Sequence, residues 1–366
     1  MIDEIGSNID INPLKKATIN DVADLAKVSI KTVSRVLNHE PRVRPATKER
    51  VLKAMEVLDY SPNSSARRLA GNRAYLLGLL YDDPGTTYIS NIQIGALEAC
   101  RDDHYDILIF PCSYKDPALP ETIAQLVSSV RVDGVMLTPP LSDLEPIRKK
   151  LHETDAPHVV ISPGPDYESY WKVTTNDRQV CAQMVHHLAE LGHEEIAFVK
   201  GDGSHHAVES RFNGYLDGMK ECGLKVRAAY VAEGDSTFES GMTWGHHLLD
   251  LAKPPTAVFC ANDDMAAGVM KAAHQKGVSI PRNLSVAGFD DVPLSHQTWP
   301  SLTTIRQPTQ AMAELAAKML IGRIRGNEPN GFERELKSEL LIRSSTGPAP
   351  EWVVSEWVET NWPEMG

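Results

Sequence analysis

Apolar positions recur at helical spacing in two short segments near the start of the chain and in a third soon after. In TINDVADLAKVSIKTVSRVLN, Thr18 to Asn38, residues Val22, Leu25 and Ala26 line one face of a first helix. Val33, Val36 and Leu37 line one face of a second. Thr18 is placed to N-cap the first helix, with Asp21 in the capping-box position, and Ser29 to N-cap the second. Pro45 suits the first turn of a third helix whose apolar face is Val51, Leu52, Met55 and Leu58. Three short helices around one core predict a compact all-α head over 17–61. Tyr60-Ser61-Pro62-Asn63 breaks the pattern, and Ser64 to Gly71 makes a helix too short to be stable alone, so 62–74 reads as a hinge.

From Leu76 the period changes. The runs LLGLLY, DILIF, GVMLT, HVVIS, IAFVK, AVFCA and LSVAGF alternate with helical stretches: Ile92 to Arg101, Glu121 to Val130, Arg178 to Leu191, Arg211 to Cys222, Ser240 to Leu251 and Met265 to Lys276. Continuous apolar strands between helices predict an α/β body with doubly wound parallel sheets. The strands are many for one sheet, so two similar lobes are expected, with a boundary near Thr174 to Asp177. Ligands in such folds bind beyond the carboxyl ends of the strands, here between the lobes. Residues 1–16 carry no periodicity and read as a disordered tail. The C-terminal tail, 349–366, is rich in Trp and Glu and has no heptad repeat.

Charge changes this picture. The net charge of −12 argues against nucleic acid, but from Lys15 to Arg73 there are 13 Lys and Arg against 6 Asp and Glu. A basic head on an acidic body fits a DNA-binding module joined to a part that does not bind DNA. The longest strongly apolar run, Ala74 to Tyr81, is far too short to span a bilayer, and the first residues form no apolar signal region. The expected location is the cytoplasm, with no membrane partner. The five cysteines are odd in number and scattered, so they read as buried small hydrophobes.

The head and body together resemble the lactose/galactose repressor family of bacterial transcription regulators, over about residues 17–348. The motifs run in order: TINDVADLAKVSIKTVSRVLN, RVRPATKERVLKAMEVLDYSPNSSARRLAG, LGH at Leu191, ESRFNGY at Glu209, ANDDMAAG at Ala261, GFDD at Gly288 and PSLTTIRQP at Pro300. The resemblance implies a homodimer whose heads bind a pseudo-palindromic operator in double-stranded DNA. It implies a body, 75–348, like periplasmic sugar-binding proteins. Its first lobe would span about 75–176 and 309–336, and its second about 177–304 and 337–348.

By the same resemblance, the second helix enters the major groove with Ile30, Lys31 and Arg35 at base-reading positions. Thr18, Ser29, Thr32, Ser34 and Asn38 would contact phosphate or support the helix. Asn63 to Gly71 matches the hinge helix, where Asn63, Arg67, Arg68, Leu69 and Ala70 would meet DNA and Leu69 would wedge between bases. Leu69 is also open to reading as an ordinary linker-helix residue. The chain departs from the family at two places in the head. Lys27 stands where the turn usually has Gly, and Arg44 where the third helix usually has a Ser N-cap.

In the body, Arg211 and Asp290 match the positions that most regularly hold the effector, a sugar or glycoside. Residue type alone leaves the two equally open to a structural ion pair. Asn262 and Asp263 lie at a strand's carboxyl end. For Asp263, capping a helix near Met265 outweighs ligand contact. Asp82 and Asp83 end the first body strand, and His205 falls in the loop before Arg211. Tyr88 and Trp299 are candidate stacking faces, Trp299 being equally a packed crossover residue. Ser236 stands where an aromatic is common, a gap that Phe238 is placed to fill.

No catalytic residue, cofactor or metal is expected. The pairs His186-His187, His205-His206 and His246-His247 lack a third ligand at metal spacing. The Gly201-Asp202-Gly203 loop lacks a third glycine at His206, and no GxSxG occurs. The resulting expectation is a repressor of carbohydrate-utilisation genes, released from its operator by a sugar or glycoside. The alternatives are a regulator whose ligand promotes DNA binding and a sugar-binding receptor without DNA function.

Overall fold

The computed structural model describes residues 17–37, 43–60, 73–82, 86–164, 167–169, 171–327 and 334–351. Its contacts divide the chain into two units, one ending at Ala74 and one beginning at Tyr75.

In the first unit, α1 (Ile19–Ala26), α2 (Ile30–Leu37) and α3 (Pro45–Val57) close around Val22, Ala23, Ala26, Val33, Val36, Val51 and Ala54. The Thr18 capping box forms as expected, with Asp21 Oδ2 accepting the Thr18 N–H at 2.7 Å. Lys27 does take the left-handed backbone, at φ 51 and ψ 51. Arg44 gives α3 no side-chain cap, and Pro45 sits in the first turn. Leu52, expected in the core, is 47% exposed, because Ala54 takes the inward place beside Val51.

In the second unit, β1 (Leu76–Tyr81) leads through α4 (Thr86–Asp103) to β2 (Asp106–Pro111). Next come α5 (Leu119–Gln125), β3 (Gly134–Leu137), α6 (Glu145–Glu153), β4 (His158–Ile161) and β5 (Lys172–Thr175). The single helix expected over Glu121 to Val130 is instead α5 followed by a wider π-turn at Leu126–Val130, closed by Arg131 in the left-handed region.

The second lobe runs α7 (Asp177–Glu190), β6 (Ile196–Lys200), α8 (His206–Glu221), β7 (Val231–Glu233), α9 (Phe238–Leu249), β8 (Ala257–Cys260), α10 (Asp263–Gln275) and β9 (Ser285–Ala287). After α11 (Leu294–Gln297) and β10 (Thr304–Arg306) the chain returns to the first lobe as α12 (Thr309–Ile324) and β11 (Glu335–Leu336), and β12 (Glu339–Leu341) follows.

The first sheet has the order β11-β5-β4-β3-β1-β2 and the second β7-β6-β8-β9, with parallel pairing throughout. The antiparallel pair β10–β12, with Ile305 opposite Leu340, is a separate two-stranded sheet. One core of the first lobe joins α4 and α12 to the sheet through Ile92, Ala96, Met312 and Ala316, and another joins α5 and α6 through Ile123 and Leu151. The second lobe has one core built on Phe198, Tyr215, Phe259 and Phe289. Cys100, Cys181 and Cys260 are buried, whereas Cys112 and Cys222 are half-exposed at element ends, contrary to the expectation for all five. Among the described residues, no helix is long and apolar enough to cross a membrane.

Candidate functional site

The head presents a polar, basic surface on α2. Val33 and Val36 turn inward, which leaves Ser29, Ile30, Lys31 and Arg35 exposed and Thr32 and Ser34 half-buried. Lys31 and Arg35 stand one helical turn apart on one face. Ser29 caps the helix, its Oγ accepting the Thr32 N–H at 3.2 Å and lying 2.9 Å from Thr32 Oγ1. Ile30 is 49% exposed at the N-terminal end of the same helix. Asn38, Asn63, Arg67, Arg68, Leu69 and Ala70 lie outside the described residues, as does Asp83 of the body.

The body holds a cleft of about 690 Å³ between its lobes. Its walls come from the carboxyl ends of strands in both sheets. Asp82 follows β1, Ser162 follows β4, Asp202 follows β6, Asp235 follows β7, Asn262 follows β8 and Asp290 follows β9. A side chain just past a parallel strand points into the space above the sheet, which is why residues so far apart in sequence converge.

Arg211, on α8, is held on four sides. Its Nε lies 3.2 Å from Asp177 Oδ2, its Nη1 donates to the Ala261 carbonyl at 2.6 Å, and its Nη2 lies 3.4 Å from Asp290 Oδ1. Its guanidinium stacks 3.6 Å above the centre of the Phe289 ring. Burial works against its charge, but Asp290 and Asp177 outweigh that and its pKa is raised. Burial pushes the Asp290 carboxyl up to about 7, opposed by Arg211 and reinforced by Asp177. Burial, with Asp290 nearby, raises the Tyr88 hydroxyl, so Tyr88 lines the cleft as a neutral phenol. Burial lowers His205, against the pull of Asp202, and leaves a neutral imidazole beside the cleft.

Asp82, Asp202 and Asp235 of the wall each accept a backbone N–H. Asp82 Oδ2 accepts the Tyr114 N–H at 2.6 Å. Asp202 and Asp235 are lowered despite some burial cost to Asp202, by the Ser204 N–H and the Thr237 hydroxyl respectively. The Ser236 hydroxyl accepts the Asp202 N–H at 3.0 Å, and Phe238 lines the same wall.

Two expected residues lie elsewhere. Trp299 is 97% exposed and does not line the cleft. Pro293, Leu294 and Gln297 supply the lining there, and the chain beyond α11 turns outward. Asp263 is 1% exposed and accepts from Thr304 Oγ1 at 2.5 Å and the Val292 N–H at 2.9 Å. It neither touches the cleft nor caps α10. Asn262 caps that helix, accepting the Met265 N–H at 2.9 Å, and Asp264 faces the cleft instead. Asp177, Tyr114, Ser162, Asp202, Asp235 and Gln307 were not anticipated. Aspartates one or two residues beyond apolar strands were the available signal for Asp202 and Asp235. Among the described residues no group of three His, Cys, Asp or Glu is placed to hold a metal.

Comparison with known proteins places both parts. Residues 18–63 match the model described as bacterial regulatory proteins, lacI family, and residues 185–346 match a periplasmic binding protein-like domain. The chain is 31% identical over 334 residues to the probable HTH-type transcriptional repressor ExuR of Bacillus subtilis (strain 168), covering 90% of this chain and 98% of that one. It is 32% identical over 337 residues to the HTH-type transcriptional repressor CytR of Escherichia coli (strain K12), covering 91% and 97%. Among solved structures, the lac repressor dimer bound to operator and the anti-inducer ONPF superposes with a TM-score of 0.71 at 26% identity, over 91% of this chain and 100% of that one. The transcriptional regulator CelR–cellobiose complex superposes with a TM-score of 0.68 at 27% identity, over 90% and 99%.

Proposed function

The chain belongs to the lacI family of bacterial regulatory proteins, and from that premise we propose that it represses carbohydrate-utilisation genes in the cytoplasm until a sugar or glycoside enters its cleft. It is a DNA-binding transcriptional repressor. Operator reading is assigned to Ile30, Lys31 and Arg35, with Ser29, Thr32 and Ser34 at the phosphates. A bidentate contact from Arg35 to a guanine edge would supply roughly 1–3 kcal/mol of discrimination. The hinge, with Leu69 as a minor-groove wedge, is part of the same proposal.

One observation carries the sugar reading: Arg211 and Asp290 stand side by side at the cleft with their partners on the protein already made. Because Asp177 and Asp290 balance the guanidinium, the pair offers donors and acceptors to hydroxyl groups with no free charge left for an anion. Tyr88, His205, Asn262 and Gln307 add neutral polar groups, and the Ser162 hydroxyl is buried with no partner among the described residues. The CelR structure that this chain resembles is a complex with cellobiose. Exposed Ile94 and Leu97 on α4 and Ile109 on β2 support a homodimer formed through the first lobe.

Ligand binding is taken to shift the first lobes of the dimer and release the hinges. Moving an equilibrium from 1:99 to 99:1 needs about 5.5 kcal/mol of differential affinity. The test is a gel-shift titration of the operator complex with a panel of sugars. Release by a sugar in the native protein, and its loss in Arg211→Ala with operator binding intact, is the expected result. A sugar that tightens the complex would mean corepression. An unaltered response in Arg211→Ala would remove the cleft assignment.

A further inference from the structure

The two lobes meet at a point that the effector reading does not use. Asp143 ends the tight turn Leu141–Asp143 that follows β3 in the first lobe. One carboxylate oxygen, Oδ1, accepts the Gly164 N–H at 2.7 Å, just beyond β4 of the same lobe. The other, Oδ2, accepts the His206 N–H at 3.2 Å, in the second lobe. His206 is the first residue of α8, the helix that carries Arg211.

The N–H groups of a helix's first turn have no partner within the helix and lie at the positive end of its dipole, where a carboxylate is favoured. Here the residue in the N-cap position, His205, makes no side-chain bond to that end. A carboxylate from the opposite lobe meets it instead. Gly164 brings the same two loops closer still. A Cβ at this position would lie 2.7 Å from the His206 ring, so the imidazole rests directly on first-lobe backbone. His205, which lines the cleft, is the neighbour of this contact in sequence.

We propose that Asp143 is a positioning residue, an inter-lobe latch that holds the start of α8 against the first lobe. It sets the placement of His205 and Arg211 towards the ligand. Glycine at 164 is the space the latch requires. Opening the cleft breaks the Asp143–His206 bond, and any ligand that changes the lobe angle acts against it or with it.

The test uses the full-length protein without ligand. Asp143→Asn keeps one acceptor oxygen for the Gly164 N–H and replaces the other with an amide that cannot accept. The His206 amide should then exchange roughly tenfold faster, as expected for loss of one hydrogen bond to a charged group. Small-angle scattering should show a wider separation of the lobes, with the unfolding temperature of the body near that of the native chain. Gly164→Ala, which displaces the His206 ring, should widen the lobes independently. Unchanged lobe separation in both variants would overturn the latch. So would an Asp143→Asn protein in which His206 exchange rises only in step with core amides such as Phe198, since that is a stability effect. The consequence for effector affinity rests on the proposed role of the cleft. The exchange and scattering results do not, so failure of one reading is distinguishable from failure of the other.

Discussion

Lys27 shows how one side chain can stand against its backbone. Its φ of 51 lies where a Cβ meets the following carbonyl, yet its N–H must turn back to the Ala23 and Asp24 carbonyls to close α1. Lys27→Gly should therefore stabilise the head by roughly 1 kcal/mol. Denaturant unfolding followed on the head would read this, and a loss of stability would show that the strain is relieved elsewhere. Asp290 and Asp291 make a second strained pair, at φ 109 and 57, and their carboxylates serve different ends. Asp290 meets Arg211 at the cleft, while Asp291 ties Arg306 at the end of β10 and Arg343 after β12, at 2.8 Å and 2.5 Å. Arg211 and Asp290 were legible because their residue types sit in an ordered set of motifs. Asp177 was not, because nothing local pairs it with an arginine 34 positions away.

Elements with a clear period were legible from the chain. The capped helices of the head and the apolar strands of both sheets are examples. Strands β5, β7, β10, β11 and β12 span two to four residues and show no alternation to read. The long helix α12 escaped for the opposite reason. Met312, Ala313, Ala316, Ala317, Met319, Leu320 and Ile321 are all buried, which leaves only the narrow stripe of Gln310, Glu314 and Lys318 to mark its turn. Packing of α9 on α10 depends on two glycines that face each other's backbone. A Cβ on Gly241 would lie 2.1 Å from the Met265 carbonyl oxygen, and one on Gly268 would lie 2.2 Å from that of Phe238. Backbone cannot give way as a side chain can, so Gly241→Ala should cost roughly 1–3 kcal/mol or more. Urea unfolding of the body would measure it, and a neutral result would mean the helices separate freely.

For the whole molecule, the buried histidines set the response to acid. Burial lowers His158, His187, His193 and His205, so each stays neutral in the folded chain at pH values where the unfolded chain takes up a proton. Their contribution to stability is complete above the unfolded value of about 6.5 and is lost as pH falls below it. Asp290, raised to about 7, acts in the opposite sense, losing its contribution as pH rises from about 4. Burial raises Asp263 and Asp264 in the same sense as Asp290, so three carboxyls oppose the four histidines, and the slope that the histidines bring, a loss of stability from pH 7.5 to pH 5.5, is isolated by removing one of them. His193→Gln should flatten that slope, because His193 sits 1% exposed in bonds to Thr256, Ser285 and the Gly347 carbonyl. The same pH dependence in the native and His193→Gln chains would contradict this account.

At this same scale the division between sequence and tertiary structure is plain. Period, capping residues and the local balance of charge are properties of neighbours along the chain. They determined the three-helix head, the parallel α/β body and the exposed polar face of α2. The cleft is a property of positions brought together across the two sheets. Which aspartate lines it, Asp264 rather than Asp263, depends on which way a strand end turns. Whether Trp299 faces a ligand or solvent depends on where the chain leaves α11. The bond from Asp143 to His206 joins residues 63 apart and exists only once the lobes have closed on each other. Local forces act over a few residues and can be read from them, whereas burial and long-range pairing are decided by packing the whole chain.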